Sequence, residues 1–241
     1  MEAPSLISSF HLPSPYPTSR IYVDRLQRCV AWPKRDGVTN VNVTSSAKGV
    51  WRSLSPMILG PILFSSLSCP PTRDLELPHS ALYFENLWQY SKVWEGDLAD
   101  DGSLKHTFFS RRSSGFASEK ARRRIPGCHG SKRTLCTYWD GQMLSYLQAR
   151  ALLYCPIYAE LVRPTEGFSR LRDMVEDGMP IQLLGYDGYD VSDRSLYECF
   201  VDETRPFGHE LVLASMLSGV EPWVDYLRLH PMAKISVASV L

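Results

Sequence analysis

The chain has 241 residues, 44% hydrophobic and 11% aromatic, with 26 basic and 26 acidic side chains and a formal net charge of zero. That length and apolar content are enough to bury a core and fit one large domain. Charge balance gives no whole-chain argument for nucleic acid or an anionic membrane, and no run approaches the ~18 apolar residues of a membrane span.

Residues 1–20 (MEAPSLISSFHLPSPYPTSR) carry four prolines and five serines and are expected to form an extended, mobile tail. No basic region followed by an apolar block stands there, so no signal peptide is expected. Ile21 to Trp32 reads as a strand, and residues 34–37 (KRDG) as a turn. Residues 38–44 (VTNVNVT) alternate β-branched and polar side chains with period two, the pattern of a half-buried strand. A loop with apolar anchors follows, then a short strand around Met57 to Phe64. Ser80 is placed to N-cap a helix over YFENLWQYSKVW (83–94), which ends in the acidic turn EGDLADDG (95–102).

Residues 103–136 are rich in serine and glycine. Arg111, Arg112, Lys120, Arg122, Arg123, Arg124, Lys132 and Arg133 there face one acid, Glu119. We read this as a long basic insertion with one helical turn near Ala117 to Arg124. It is either a solvated loop or a patch for phosphate groups. Tyr138 to Leu161 reads as the longest helical region, broken into two helices by Pro156. Thr165 to Asp177 is a helix with Phe168, Leu171 and Val175 on one face, closed by Gly178 and Pro180. Ile181 to Leu184 is a short buried strand, Tyr186 to Asp190 a turn, and Glu210 to Leu217 a helix. The segment from Val220 onward holds Trp223, Leu227 and Leu229, so it packs or forms an interface. Strands and helices mix without βαβα alternation. The fold class expected is therefore α+β: a helix-rich single domain over 21–241 with a small sheet.

Common chemical templates are missing: no P-loop, no G-x-G-x-x-G, no H-E-x-x-H and no G-x-S-x-G occurs. The six cysteines (29, 69, 128, 136, 155, 199) are scattered without a C-x-x-C pair. Free thiols and an intracellular protein are therefore expected. Cys128-His129 with Cys136 matches no zinc spacing, so no metal and no cofactor is expected. What remains is a set of acids among aromatics. On a helix, Glu85, Gln89 and Lys92 lie at i, i+4 and i+7, on one stripe with Phe84 and Trp88 beside it. A carboxylate between rings has its pKa raised by desolvation and can act as a general acid or base; the plainer reading is a solvent-facing stripe. Tyr138-Trp139-Asp140 precedes the long helix, with Asp140 able to N-cap it. The turn Tyr186-Asp187-Gly188-Tyr189-Asp190 offers two carboxylates that cap or bind. Gly208-His209 opens the last of these helices, where an anion can sit or the histidine simply packs.

The order of these pieces resembles the YbiA-like NADAR family over about residues 40–190. An L-S-P loop (Leu54, Ser55, Pro56) stands where the family has L-S-N-F. Then come E-x-x-W-Q-x-x-K (Glu85, Trp88, Gln89, Lys92), a tryptophan-led helix (Trp139, continuing through Ala149, Leu152 and Tyr154), L-V-x-x-T (Leu161, Val162, Thr165), a helix and a strand ending in an acid. The chain is also similar to uncharacterised proteins of phages and large DNA viruses. The resemblance implies a nucleotide or ADP-ribose-type ligand and N-glycosidic hydrolysis, with Glu85 at the glycosidic bond. It implies Trp139 on the base, Asp187 or Asp190 on a ribose, Lys92 toward a phosphate, and Trp88 and Gln89 in the pocket. The family's acid-tryptophan-glycine ending is replaced here by Asp187-Gly188-Tyr189-Asp190, and the basic stretch and the segment after Arg194 have no counterpart. The alternative is a non-enzymatic viral protein, virion-associated or nucleic-acid-binding through 111–133 with Arg122, Arg123 and Arg124, on a re-purposed fold. A cytoplasmic or virion location and a homo-oligomer built on Trp223 to Leu229 complete the expectations.

Overall fold

The computed structural model describes residues 21–26, 35–73, 78–123 and 134–231. The proline-rich tail, the second half of the first expected strand, Arg124, Cys128 and His129 lie outside them. The fold is helix-rich α+β: eight α-helices and three small sheets among the described residues. No described helix is long and apolar enough to cross a membrane.

The chain opens with β1 (Ile21–Arg25) and β2 (Thr39–Asn42). Neither pairs with the other. Both pair in parallel with β8 (Ile181–Gly185), which lies between them in the order β1-β8-β2. All five residues of β8 are buried, as expected of the central strand of a sheet covered on both faces. The polar-apolar alternation of β2 follows from its edge position, where only Val41 of its four residues is buried.

A 3-10 segment, Gly49–Leu54, leads into the Leu54-Ser55-Pro56 loop, and β3 (Ile62–Leu63) pairs antiparallel with β4 (Ser80–Ala81). The expected strand over 57–64 is thus only two residues long. Helix α1 runs Phe84–Tyr90, and Ser80 does not cap it. The loop does so instead: Phe84 N–H donates to Leu59 O at 2.9 Å and Glu85 N–H to Pro56 O at 3.1 Å. These backbone acceptors take the place of an N-cap side chain. α1 also stops earlier than its pattern suggests, because β5 (Lys92–Val93) leaves the helix to pair with β6 (Cys136–Trp139).

The basic insertion contains a true helix, α2 (His106–Phe116), upstream of the single turn expected near 117–124. Its buried stripe is Phe108, Arg112, Gly115 and Phe116. An arginine in the stripe hides the apolar period in the sequence. The Arg112 guanidinium lies 5.4 Å from the Phe116 ring centre and 5.1 Å from that of Tyr138, so it stacks rather than reaches solvent.

Tyr138 does not begin a helix. β6 turns at Asp140-Gly141, both with positive φ (48° and 75°), into β7 (Gln142–Leu144). That two-residue hairpin turn suits Asp-Gly. Asp140 therefore caps no helix; its Oδ1 accepts the Thr72 and Arg73 N–H groups, each at 2.6 Å. Helix α3 (Tyr146–Ala149) follows, capped by Ser145 and Gln148, and runs through a π-helical stretch, Arg150–Tyr154, into α4 (Cys155–Val162). The expected break at Pro156 is not there: the run is continuous, and Pro156 stands in the first turn of α4, just after the π-helical stretch.

α5 (Glu166–Glu176) is capped by Thr165 and buries Phe168, Leu171 and Val175, as its pattern indicates. α6 (Leu196–Val201) has a Ser195/Glu198 capping box that the sequence reading passed over. α7 (His209–Leu217) is buried all round except at Met216. It packs on β1 and β8 and against α4, so it is the centre of the core. α8 (Pro222–Leu229) buries Trp223 and leaves Val224 and Leu229 exposed. The described part of this segment, to residue 231, therefore packs, with Trp223 inside the chain's own core.

Candidate functional site

A cleft of about 280 Å³ opens between α1, the start of α7 and the turn after β8. One wall is Glu85, Trp88 and Gln89 of α1 with Ser55, Pro56 and Met57 of the loop that caps it. Tyr158 fixes that loop by donating from its hydroxyl to Leu54 O at 2.6 Å. The cleft wall and the helix cap are therefore one device.

The facing wall is Tyr186, Asp187, Pro206, Phe207, Gly208 and His209. Arg150 holds the run before it in place. Its Nη1 donates to Phe200 O at 2.7 Å and Asp202 O at 3.1 Å, and its Nη2 to Arg205 O. It is fully buried and lies 4.1 Å from the Tyr146 ring centre. Tyr146 and Tyr154 close the cleft's third side, and Trp88 tilts against Tyr154 at 4.9 Å between ring centres. At the mouth, Arg123 stacks on Tyr186 at 4.8 Å and reaches Ser45 Oγ at 3.4 Å. Asn86 places Arg123 there. Its amide donates to Ser118 O and Lys120 O, and its Oδ1 accepts the Arg122 N–H at 2.9 Å.

Burial pushes the Glu85 carboxyl above the ordinary carboxylate range. The Gln89 hydrogen bond and the charges of Lys92, Arg123 and His209 pull the other way. Gln89 Nε2 donates to Glu85 Oε1 at 3.0 Å, and Lys92 Nζ donates to Gln89 Oε1 at 2.9 Å. Burial lowers the Lys92 amine to about 8, against the opposing charges of Glu85 and Asp187. No described group donates to Glu85 Oε2, so that oxygen stays free for a ligand. The arrangement is a buried acid whose proton is held more tightly than in water, oriented by an amide whose other end is held by an amine. It suits proton transfer to or from a bound molecule.

Glu85, Trp88, Gln89 and Asp187 meet in this cleft. The expected partners Lys92, Trp139 and Asp190 do not line it. Lys92 sits one hydrogen bond behind Gln89, 4.9 Å from the Trp88 ring centre. Trp139 is buried at the end of β6, edge-on to Phe64 at 5.6 Å, because the hairpin aims it into the core. Asp190 faces outward and is held low by Ser192 and Arg35, with Arg35 Nη2 donating to Oδ2 at 2.7 Å. Of the basic cluster, Arg123 lines the cleft and Arg122 is exposed beside it. Arg111 is paired to Asp97, and Arg124 is outside the described residues.

The sequence reading missed Tyr146, Arg150, Tyr154 and Phe207. Tyr154 followed a helical period and read as core, while a buried arginine carries no local signal. Among the described residues no group of His, Cys, Asp or Glu could hold a metal. Comparison of the chain with protein-family models, curated proteins and solved structures finds no match.

Proposed function

We propose that the cleft binds a nucleotide or ADP-ribose-type ligand and hydrolyses its N-glycosidic bond, with Glu85 as the acid–base group. The observation that carries this reading is the buried carboxyl with one free oxygen, set among Trp88, Tyr154 and Tyr186 and faced by Asp187. The rings offer stacking surface to a base, and the two carboxyl groups suit a sugar centre that becomes cationic as the bond breaks. The NADAR-like order of the L-S-P loop and the E-x-x-W-Q-x-x-K segment supports the same ligand class. In this assignment Trp88 takes the stacking role that the resemblance gave to Trp139, and Asp187 alone holds the ribose. Arg123 at the mouth is placed for a phosphate. The test is release of free base from ADP-ribose-type N-glycosides, followed by chromatography. Glu85→Gln should abolish release while the circular dichroism spectrum stays unchanged. Unchanged release in that variant removes Glu85 from the chemistry.

A further inference from the structure

Tyr146, Arg150 and Tyr154 follow one another at four-residue steps, and all three line the cleft. In a regular α-helix each such step drifts by about 40°, so the first and third would point about 80° apart. The π-helical stretch Arg150–Tyr154 has a wider turn, which takes that drift back and keeps one stripe on the cleft. The stripe starts from a fixed point. Ser145 and Gln148 cap α3 reciprocally, with Ser145 N–H donating to Gln148 Oε1 at 2.9 Å. Among the described residues Tyr146 carries the one exposed aromatic ring, at 39%. One of its faces lies against the Arg150 guanidinium, 4.1 Å from the ring centre. That guanidinium is buried and in no ion pair among the described residues; its Nη groups donate to backbone carbonyls alone, and its Nε has no partner. Trp88 also carries a cation: Lys92, which does not line the cleft, stands 4.9 Å from its ring centre.

We propose that Tyr146 is a second stacking surface of the cleft and that, with Trp88, it selects a neutral flat heterocycle over a cationic one. The electron-rich face of a ring is what draws a cation, and Arg150 and Lys92 have already taken it up. A second cation on the outer face would stand across one ring from the first, where like charges repel. A neutral base loses neither way. The carboxyl groups of Glu85 and Asp187 attract cations, but Lys92 and Arg123 already act against them. The class selected covers neutral nucleobases and excludes a pyridinium. The inference rests on the cleft being a nucleotide site and not on cleavage there. Tyr146 is held by its cap and by the guanidinium behind it, so little side-chain freedom is lost when a ring stacks on it.

The experiment is isothermal titration calorimetry of the full chain with three probes. They are N6-methyladenosine 5′-monophosphate, its isomer 1-methyladenosine 5′-monophosphate, which is cationic below neutral pH where the titration is run, and ribose 5-phosphate. The neutral isomer should bind several-fold more tightly than the cationic one. Tyr146→Leu still covers Arg150 but offers no ring. It should weaken the neutral isomer about tenfold and leave ribose 5-phosphate within about twofold. Tyr146→Phe should match the original chain. Equal binding of the two isomers, or an equal loss for ribose 5-phosphate in Tyr146→Leu, overturns the proposal. The isomer comparison uses the unaltered chain, so it decides the matter should the leucine variant fail to fold. If none of the probes binds, the nucleotide reading of the cleft falls and this proposal with it. If they bind and Tyr146→Leu changes nothing, this proposal alone falls.

Discussion

Glu85→Gln has a second consequence, in stability rather than turnover. Burial raises the carboxyl in the folded chain above its ordinary value of 4.5. Below that pH both states hold the proton and the group costs the fold nothing. As pH climbs through 4.5 the unfolded chain ionises first, and the folded state falls behind by about 1.4 kcal/mol for each unit of elevation. The penalty is fully developed once pH passes the folded value, so it is present at neutral pH. An amide keeps the side-chain volume and still accepts from Gln89, and it carries no charge to desolvate. Glu85→Gln should therefore stabilise the fold near neutral pH and do almost nothing near pH 4. For a chain of this size each 1 kcal/mol gained raises Tm by about 2–4 °C. Urea unfolding at three pH values between those limits measures it. Loss of stability near neutrality, or an equal gain at both ends, would mean that the folded chain stabilises the carboxylate, and the acid–base assignment would lose its physical basis. An acid that costs stability where it sits is what a functional site is expected to contain.

Three further outcomes follow from named contacts. Lys92, lowered to about 8, should be labelled by amine-reactive reagents at mildly alkaline pH ahead of exposed lysines, as read by peptide mass mapping. Gly115→Ala would place a Cβ 2.1 Å from the Tyr90 ring, at the packing of α1 on α2, and should cost about 1–3 kcal/mol despite the better helix propensity of alanine, as measured by thermal unfolding. Arg150→Leu leaves the carbonyls of Phe200, Asp202 and Arg205 without their donor and should cost about 3 kcal/mol, with raised hydrogen exchange over 200–208; unchanged exchange there would deny Arg150 its part in holding the cleft wall.

The elements that were legible in the sequence are those whose partners are local. α5 announces itself through Thr165, a clean apolar face and Gly178, and it forms there. β8 reads as a short apolar run and is buried throughout. Glu85 and Gln89 share a stripe by helical spacing, and the hydrogen bond between them realises it. What was illegible depends on distant residues. α1 is capped by carbonyls of Pro56 and Leu59, which no pattern around Ser80 reveals. Lys92 reaches Gln89 from a strand and not from the next helical turn, because pairing with Thr137 ends α1 early. Trp139 looked like the head of a helix, but an Asp-Gly turn immediately after it makes a hairpin. α2 was hidden by Arg112, a charged residue in an apolar stripe.

The same point bears on the basic stretch. An excess of arginine in a segment is an electrostatic patch only if the guanidinium groups reach solvent together. Arg111 is paired to Asp97 and stacked between Trp94 and Phe108. Arg112 is buried on two rings, and Arg123 is turned over Tyr186 at the cleft mouth. Among the described cations of 111–123, Lys120, Arg122 and Arg123 are exposed, and Arg123 also contacts Tyr186 and Ser45. A phosphate-backbone surface needs several such charges at once, since its affinity comes from the number of counterions released. Of these, Arg123 is the one that lines the cleft, over Tyr186 and across from the buried Glu85. One such cation beside stacking rings is what the proposed small anionic ligand requires.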